Sequence, residues 1–397
     1  MSENQFHFLA HSTGFIHKKA KHIAKMNIII KFLYKHFLRP ILFKFDPENI
    51  HRLFIRIGAI LGSFNFTRRL TARIFKYENP ILEQKILGIT FKNPIGLAGG
   101  YDKNGVAISI MPEVGYGFME VGSITKSPCK GNPRPRLWRL PRSRGLVVYY
   151  GLVNQGALKI SRRLKNQKFN FPLFINIAKT NDRKLIGKKG NDDYVECFKI
   201  VKNLGDAIVI NISCPNVSHE TSHMDAFTLD DLLKKIDAIN KQPRPIFLKI
   251  ASDLESKDID KMLDVVSRHK VDGFIVANLA KSWKKIPVIK SEITPEMKGG
   301  ISGKPTESLS NALIAEIYRK TRGKYIIIGS GGVFTAEDAY LKIRLGASLV
   351  EVLTGMIYEG PQAIGDINRG LVKLLKRDGF KNVSEAIGAD IKATRGA

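Results

Sequence analysis

The sequence is poor in cysteine, in tryptophan and above all in acid. Three cysteines, Cys129, Cys197 and Cys214, are scattered through 397 residues. That spacing argues against a disulfide framework or a zinc cluster and fits a reducing compartment. No run reaches the ~18 consecutive apolar residues that a membrane-spanning helix needs. There is no internal repeat and no low-complexity linker. Only 36 Asp and Glu stand against 64 Lys and Arg, a net charge of +28. Such an imbalance suits an anionic partner: nucleic acid, acidic lipid or a phosphorylated ligand. Much of the charge falls on presumptive helix surfaces and no nucleic-acid-binding motif accompanies it, so no nucleic-acid partner is expected. With 44% hydrophobic residues the chain can bury a large core, as one α/β barrel or two domains.

The acid deficit is sharpest at the start. The first 45 residues hold eight Lys/Arg and one acid, Glu3. Residues 1–26 lack periodicity and are expected to be disordered, with Met26 an alternative start. From Asn27 the pattern changes: Ile28, Ile29, Ile30, Phe32, Leu33, Phe37, Leu38, Ile41 and Leu42 are interspersed with Lys31, Lys35, Arg39 and Lys44. Apolar bulk with spaced cations is what an interfacial helix needs. Asp46-Pro47-Glu48 then supplies an N-cap with proline at the first helical position. Ile50, Leu53, Phe54, Ile57 and Leu61 follow at helical spacing. Residues 27–78 therefore predict two short helices, either a membrane-surface module or helices docked on the main domain. An acid-poor amino terminus also fits a mitochondrial transit segment.

From residue 79 to 397 short β-branched runs alternate with helical patterns. Eight strands are predicted, at 94–98, 118–121, 173–177, 207–212, 246–250, 273–277, 325–328 and 349–353. Amphipathic patterns at 229–239, 259–269 and 308–319 read as intervening helices. The expected fold class is α/β, a (β/α)8 TIM barrel behind a small helical module. The Pro- and Arg-rich segment 126–146 reads as a long loop.

In such a barrel the chemistry lies where the strands end. Ala98-Gly99-Gly100 ends the first, and Lys103 adds a cation just beyond. The later ends carry Ser123, Asn176, Lys249, and Ala277 with Asn278. The fourth delivers Asn211-Ile212-Ser213-Cys214-Pro215-Asn216, a thiol between two carboxamides. A free thiol of pKa about 8.5 is a competent base once partly ionised. The seventh runs into Gly329-Ser330-Gly331-Gly332 and the eighth into Thr354-Gly355, the usual phosphate seat of this fold. The remaining polar ends suit a flat heteroaromatic ring with carbonyls and ring nitrogens.

With these residues assembled, the chain resembles the dihydroorotate dehydrogenases, more closely the membrane-associated, quinone-dependent class 2. The marks are Asp46-Pro47-Glu48 with His51, Phe91-Lys92-Asn93-Pro94, Ala98-Gly99-Gly100 with Asp102-Lys103, and Gly131-Asn132-Pro133-Arg134-Pro135-Arg136. Asn211-Ile212-Ser213, Pro215-Asn216, Gly299-Gly300-Ile301-Ser302-Gly303, Gly329-Ser330-Gly331-Gly332 and Ala386-Ile387-Gly388-Ala389-Asp390 complete them. The resemblance implies an FMN-binding barrel that oxidises dihydroorotate to orotate in pyrimidine synthesis and passes electrons to a membrane quinone. It implies Cys214 as catalytic base, and Lys103, Asn211, Asn216 and Asn278 as substrate contacts. It implies FMN contacts at Ala98, Gly99, Ser123, Asn176, Asn211, Lys249, Ala277, Gly303, Gly331, Gly332, Thr354 and Gly355. His51 and Arg139 match a quinone tunnel, and no metal is implied. A monomer is expected, peripheral on an anionic membrane surface, bacterial or mitochondrial inner.

The sequence departs from the family in places. Cys214 stands where class 2 has serine and looks like class 1. Val148 and Leu279 replace residues with hydrogen-bonding side chains, and Val217-Ser218-His219-Glu220-Thr221 replaces the usual loop. A paralogue oxidising another small cyclic or carboxylated substrate is the alternative. His219-Glu220-Thr221-Ser222-His223 spells a zinc-protease signature, but that chemistry needs a helix and a third ligand. It reads as an exposed loop.

Overall fold

The computed structural model describes residues 26–213 and 225–393. The expectations for residues 1–25 and for Cys214, Asn216 and the 219–223 signature lie outside the described residues. Eight parallel strands close a barrel in sequence order: β1 (Ile95–Leu97), β2 (Phe118–Ile124), β3 (Leu173–Ile177), β4 (Ala207–Asn211), β5 (Ile246–Ile250), β6 (Gly273–Val276), β7 (Ile326–Ser330) and β8 (Leu349–Val352). All eight predicted strands are present, with helices in the crossovers, so the fold is a (β/α)8 barrel.

Strand alternation stacks the interior in two layers. Phe118, Phe174, Val209, Phe247 and Leu349 form the lower, apolar layer, closed beneath by Phe91. Phe174 and Phe247 stack with centroids 5.4 Å apart. Phe118 fills the space beside β1, where a Cβ on Gly96 would lie 2.2 Å from its ring. Two residues further along the same strands come Glu120, Asn176, Asn211, Lys249 and Glu351. The upper layer is thus polar and forms the floor of whatever the barrel holds.

The amino-terminal helices differ in detail from expectation. Residues 26–43 are helical with a π turn at Tyr34–Leu38 just ahead of Pro40. Proline has no N–H to donate and its ring crowds the carbonyl four residues back, which accounts for the turn. Helix α1 (Pro47–Ser63) starts as predicted, with the Asp46 carboxylate accepting the Asn49 N–H at 2.8 Å. A further helix, α2 (Asn65–Phe75), was not predicted, and the sequence hides it because its N-cap position is Phe64, which cannot cap. Segment 126–146 is not simply a loop. Its residues Leu137–Leu140 pair with Gly145–Val148, which pairs with Gly300–Gly303, in a small antiparallel sheet. Pro135 and Pro141 bracket the first strand and mask it in the sequence.

One carboxylate fastens the helices to this sheet. Glu48 of α1 is 4% exposed and takes both Arg136 Nε (2.9 Å) and Nη2 (2.8 Å), Arg134 Nη2 (2.8 Å) and Arg52 Nη2 (2.9 Å). Burial alone would raise the Glu48 carboxyl, but the bonds and charges of Arg136 and Arg134 outweigh it and bring it down to about 2. Removing one partner of a buried ion pair strands the other, so Glu48→Ala is expected to cost about 3–5 kcal/mol. The parental advantage should be complete above the carboxyl's ordinary 4.5 and be lost as pH falls through about 2. Chemical unfolding of both proteins across pH checks this; equal midpoints at neutral pH would contradict it.

Candidate active site

A continuous cavity of about 500 Å³ opens above the polar layer and runs outward between the barrel and the amino-terminal helices. Its inner wall comes from the strand ends and its outer wall from Ile50, Phe54, Ile57 and Leu61 of α1 with Leu42 and Phe43. Every predicted site residue among the described ones lines it. That set is Ala98, Gly99, Lys103, Ser123, Asn176, Asn211, Lys249, Ala277, Asn278, Gly303, Gly331, Gly332, Thr354, Gly355, His51 and Arg139.

At the floor, Lys249 Nζ lies 2.7 Å from Glu120 Oε2 and 3.4 Å from Glu351 Oε2. Burial would lower the lysine, but the two carboxyls outweigh it and raise it, so the ammonium stays charged. Asn176 donates to Glu120, leaving Asn176 Oδ1 buried and without a partner. Asn211 Nδ2 donates to Ser123 Oγ at 2.9 Å, and Asn278 Nδ2 donates to Asn211 Oδ1 at 3.2 Å. Asn211 and Asn278, two of the carboxamides that the sequence offers to a ligand, therefore also hold one another in place.

The opposite end is built from bare backbone. Gly331 and Gly332 have φ of 104° and 77°, conformations that favour glycine. A Cβ on Gly355 would fall 2.0 Å from the Val333 carbonyl oxygen. Ser302 Oγ and Thr354 Oγ1 meet at 3.0 Å beside them. Glycine backbone lining the cavity beside hydroxyls suits a phosphate, and an orphaned amide oxygen on a floor that also holds an ammonium suits a ring with donors and acceptors on one edge. The residues present fit a flavin mononucleotide.

Lys103 stands farther along the wall. Its Nζ donates to the Gly100 carbonyl at 2.6 Å and lies 4.1 Å from the centre of the Tyr150 ring. Burial lowers it to about 8. Val148, Leu152 and Leu279 share the wall and offer no hydrogen bond through their side chains. Nearer the mouth, His51 Nε2 donates to the Tyr101 carbonyl at 2.8 Å, so Nδ1 is the acceptor facing Tyr150 Oη at 3.2 Å. Burial, reinforced by Lys103, drops this imidazole to about 3, and it is neutral. Arg139 does not reach freely into the cavity: Nη1 donates to the Phe45 carbonyl at 2.8 Å and the guanidinium lies over the Phe43 ring.

Glu120 and Glu351 were missed by sequence reasoning, although a signal existed. Each is a lone acid inside an otherwise apolar strand run, Phe-Met-Glu-Val and Leu-Val-Glu-Val. An acid so placed is buried and must be paired. Tyr101 and Tyr150 carried no such signal, since aromatic residues are common in any core.

The Lys103 ammonium lies on this wall and is expected to meet an anionic ligand there. Affinity for a small carboxylate such as orotate is expected to hold below pH about 8 and then fall, approaching tenfold per pH unit, as Lys103 loses its proton. Lys103→Met should bind weakly and without that dependence. Titration calorimetry of both proteins across pH checks this; parallel profiles would contradict it.

The pattern of the family described as dihydroorotate dehydrogenase matches residues 81–375. A protein named dihydroorotate dehydrogenase (quinone) from Trichodesmium erythraeum is 36% identical over 374 residues, covering 90% of this chain and 98% of its own. One of the same name from Acaryochloris marina is 39% identical over 372 residues, covering 90% and 99%. Among solved structures, a DHODH from Eimeria tenella in complex with ferulenol superposes with TM-score 0.76 at 30% identity, covering 87% of this chain and 96% of its own. Together with the closed barrel and its residue pattern, these matches establish that the chain belongs to the dihydroorotate dehydrogenase family.

Proposed function

We propose that this chain oxidises (S)-dihydroorotate to orotate in pyrimidine biosynthesis and delivers the electrons to a membrane quinone. The observation that carries this reading is the continuity of the cavity, from a charged barrel floor to an apolar helical wall. FMN, when bound, supplies the hydride acceptor and the store for two electrons. Ser123, Asn176, Asn211 and Lys249 would hold its ring, and Gly331, Gly332, Thr354 and Gly355 its phosphate. Ala98, Gly99, Ala277 and Gly303 leave the backbone close to it.

The chain's own residues do the rest. Lys103 binds the substrate carboxylate, and Asn211, Asn216 and Asn278 orient its ring amides. Cys214, as thiolate, takes the proton beside the ring carbonyl and becomes a thiol. A thiol's pKa lies far nearer neutral than that of a serine hydroxyl, which suits general-base work at physiological pH. The α1 side chains keep water from the wall, and neutral His51 adds no charge to a path that an uncharged quinone must enter.

Ile28, Phe32, Phe37, Ile41, Leu53 and Phe64 are exposed apolar residues on or beside the amino-terminal helices, among the exposed cations Lys44, Arg56 and Arg69. Such a surface supports peripheral attachment to an anionic membrane. No helix among the described residues is long and apolar enough to cross one. Val148 and Leu279 favour a second reading, a related flavin enzyme for another small cyclic or carboxylated compound.

Anaerobic addition of dihydroorotate should bleach the yellow of the purified protein. Cys214→Ala should retain flavin and ligand binding but bleach about 10²–10⁴-fold more slowly. A parental protein that stays yellow with dihydroorotate would favour the second reading. Bleaching of Cys214→Ala at the parental rate would remove Cys214 from the role of base.

A further inference from the structure

The floor of the cavity holds one more acid than its cation can balance. Glu120 of β2, Lys249 of β5 and Glu351 of β8 meet there, exposed 0%, 5% and 1%. Two ionised carboxylates against one ammonium would leave an uncompensated charge in a low-dielectric interior, so one carboxyl keeps its proton.

The hydrogen bonds decide which. Glu120 receives the Gly99 N–H at 3.0 Å, the Lys249 ammonium at 2.7 Å and the Asn176 amide. Glu351 receives only the more distant face of Lys249, at 3.4 Å. Its other oxygen, Oε1, is buried without a partner, and the residue lines the cavity. Glu120 is therefore the carboxylate and Glu351 the acid that keeps its proton. The directions agree. For Glu120, burial is outweighed by Lys249 and the carboxyl is lowered, whereas burial and the charge of Glu120 drive Glu351 well above the carboxylate range. The register neighbours of Glu351, Gly96 on β1 and Ser330 on β7, carry no charge, so Glu120 and Lys249 are the charged groups that face it.

Resting on the flavin reading above, we propose that Glu351 is a redox-tuning residue: an uncharged acid in the flavin cradle that keeps a second negative charge away from the cofactor. Flavin reduction adds electron density that a nearby cation stabilises and a nearby anion opposes. With Glu351 neutral, Lys249 is offset by one carboxylate. With Glu351 ionised it would be outnumbered, and the reduced flavin would be harder to form.

The test is the flavin midpoint potential of the parental and Glu351→Gln holoproteins across pH. Glutamine mimics the neutral acid. The two potentials should coincide at acid and neutral pH, and the parental value should fall below the variant's as pH climbs through the raised Glu351 ionisation. A constant gap at every pH would mean that Glu351 is already ionised and would overturn the proposal. Curves that coincide to the alkaline limit would overturn it too, since Glu351 would then have no hold on the flavin. Should Glu351→Gln fail to retain flavin, the reduced-minus-oxidised infrared difference spectrum of the parental protein decides. A shifted band of a protonated carboxylic acid supports the assignment and its absence overturns it. A parental protein that binds no flavin contradicts the flavin reading, and this inference with it.

Discussion

The cavity exists because Glu48 holds α1 against the barrel. The apolar side chains of α1 are divided, with Leu53, Ile57 and Ile60 exposed and Leu61 packed against the barrel core. The carboxylate fixes the choice. It draws Arg136 and Arg134 from the segment before the small sheet and Arg52 from its own helix, and a charge so buried tolerates no other arrangement. Tyr34 and Arg39 add a second fastening, donating to the carbonyls of Ile357 at 2.6 Å and Tyr358 at 2.9 Å. These carbonyls belong to the helix Thr354–Glu359, whose first residues line the cavity with Gly331 and Gly332. The amino-terminal helices and the glycine-rich end of the cavity thus share a structural element.

Inside the barrel a different constraint operates. Strand alternation sends every second side chain inward, so the floor is chosen two residues at a time. The lower layer is apolar and buried, with Phe118, Phe174 and Phe247 as its bulk. The upper layer is charged and hydrogen-bonded, and its members satisfy most of one another's polar atoms. Asn211, Ser123 and Asn278 manage this as a chain of amide and hydroxyl contacts. Glu120, Asn176 and Lys249 manage it with charge, and leave the Asn176 carbonyl oxygen over.

The strands were legible in the sequence because buried parallel strands read as short continuous β-branched runs. The polar strand ends were legible because barrel topology brings all such ends to one face, whatever their distance in sequence. Helix α2 was not, since Phe64 gives no capping signal, nor was the sheet inside 126–146, where prolines interrupt the pattern. Arg139 was readable as a cavity residue but not as one already committed to the Phe45 carbonyl, because backbone partners leave no trace in sequence. Glu351 was overlooked for a subtler reason. One acid in a strand is a packing problem, and only the fold shows that two such acids share one lysine.

The central claim is that one cavity carries two half-reactions, with substrate chemistry at the barrel floor and quinone chemistry at the helical wall. Single-turnover kinetics separates them: flavin reduction by dihydroorotate, then its reoxidation by a soluble quinone analogue. Leu42→Trp, which adds bulk at the helical end of the cavity, is the variant to compare with the parent. The account predicts that its flavin is reduced at the parental rate and reoxidised by the quinone many-fold more slowly. Reoxidation at the parental rate would mean that electrons leave by another route, and that the continuity of the cavity is not what the enzyme uses.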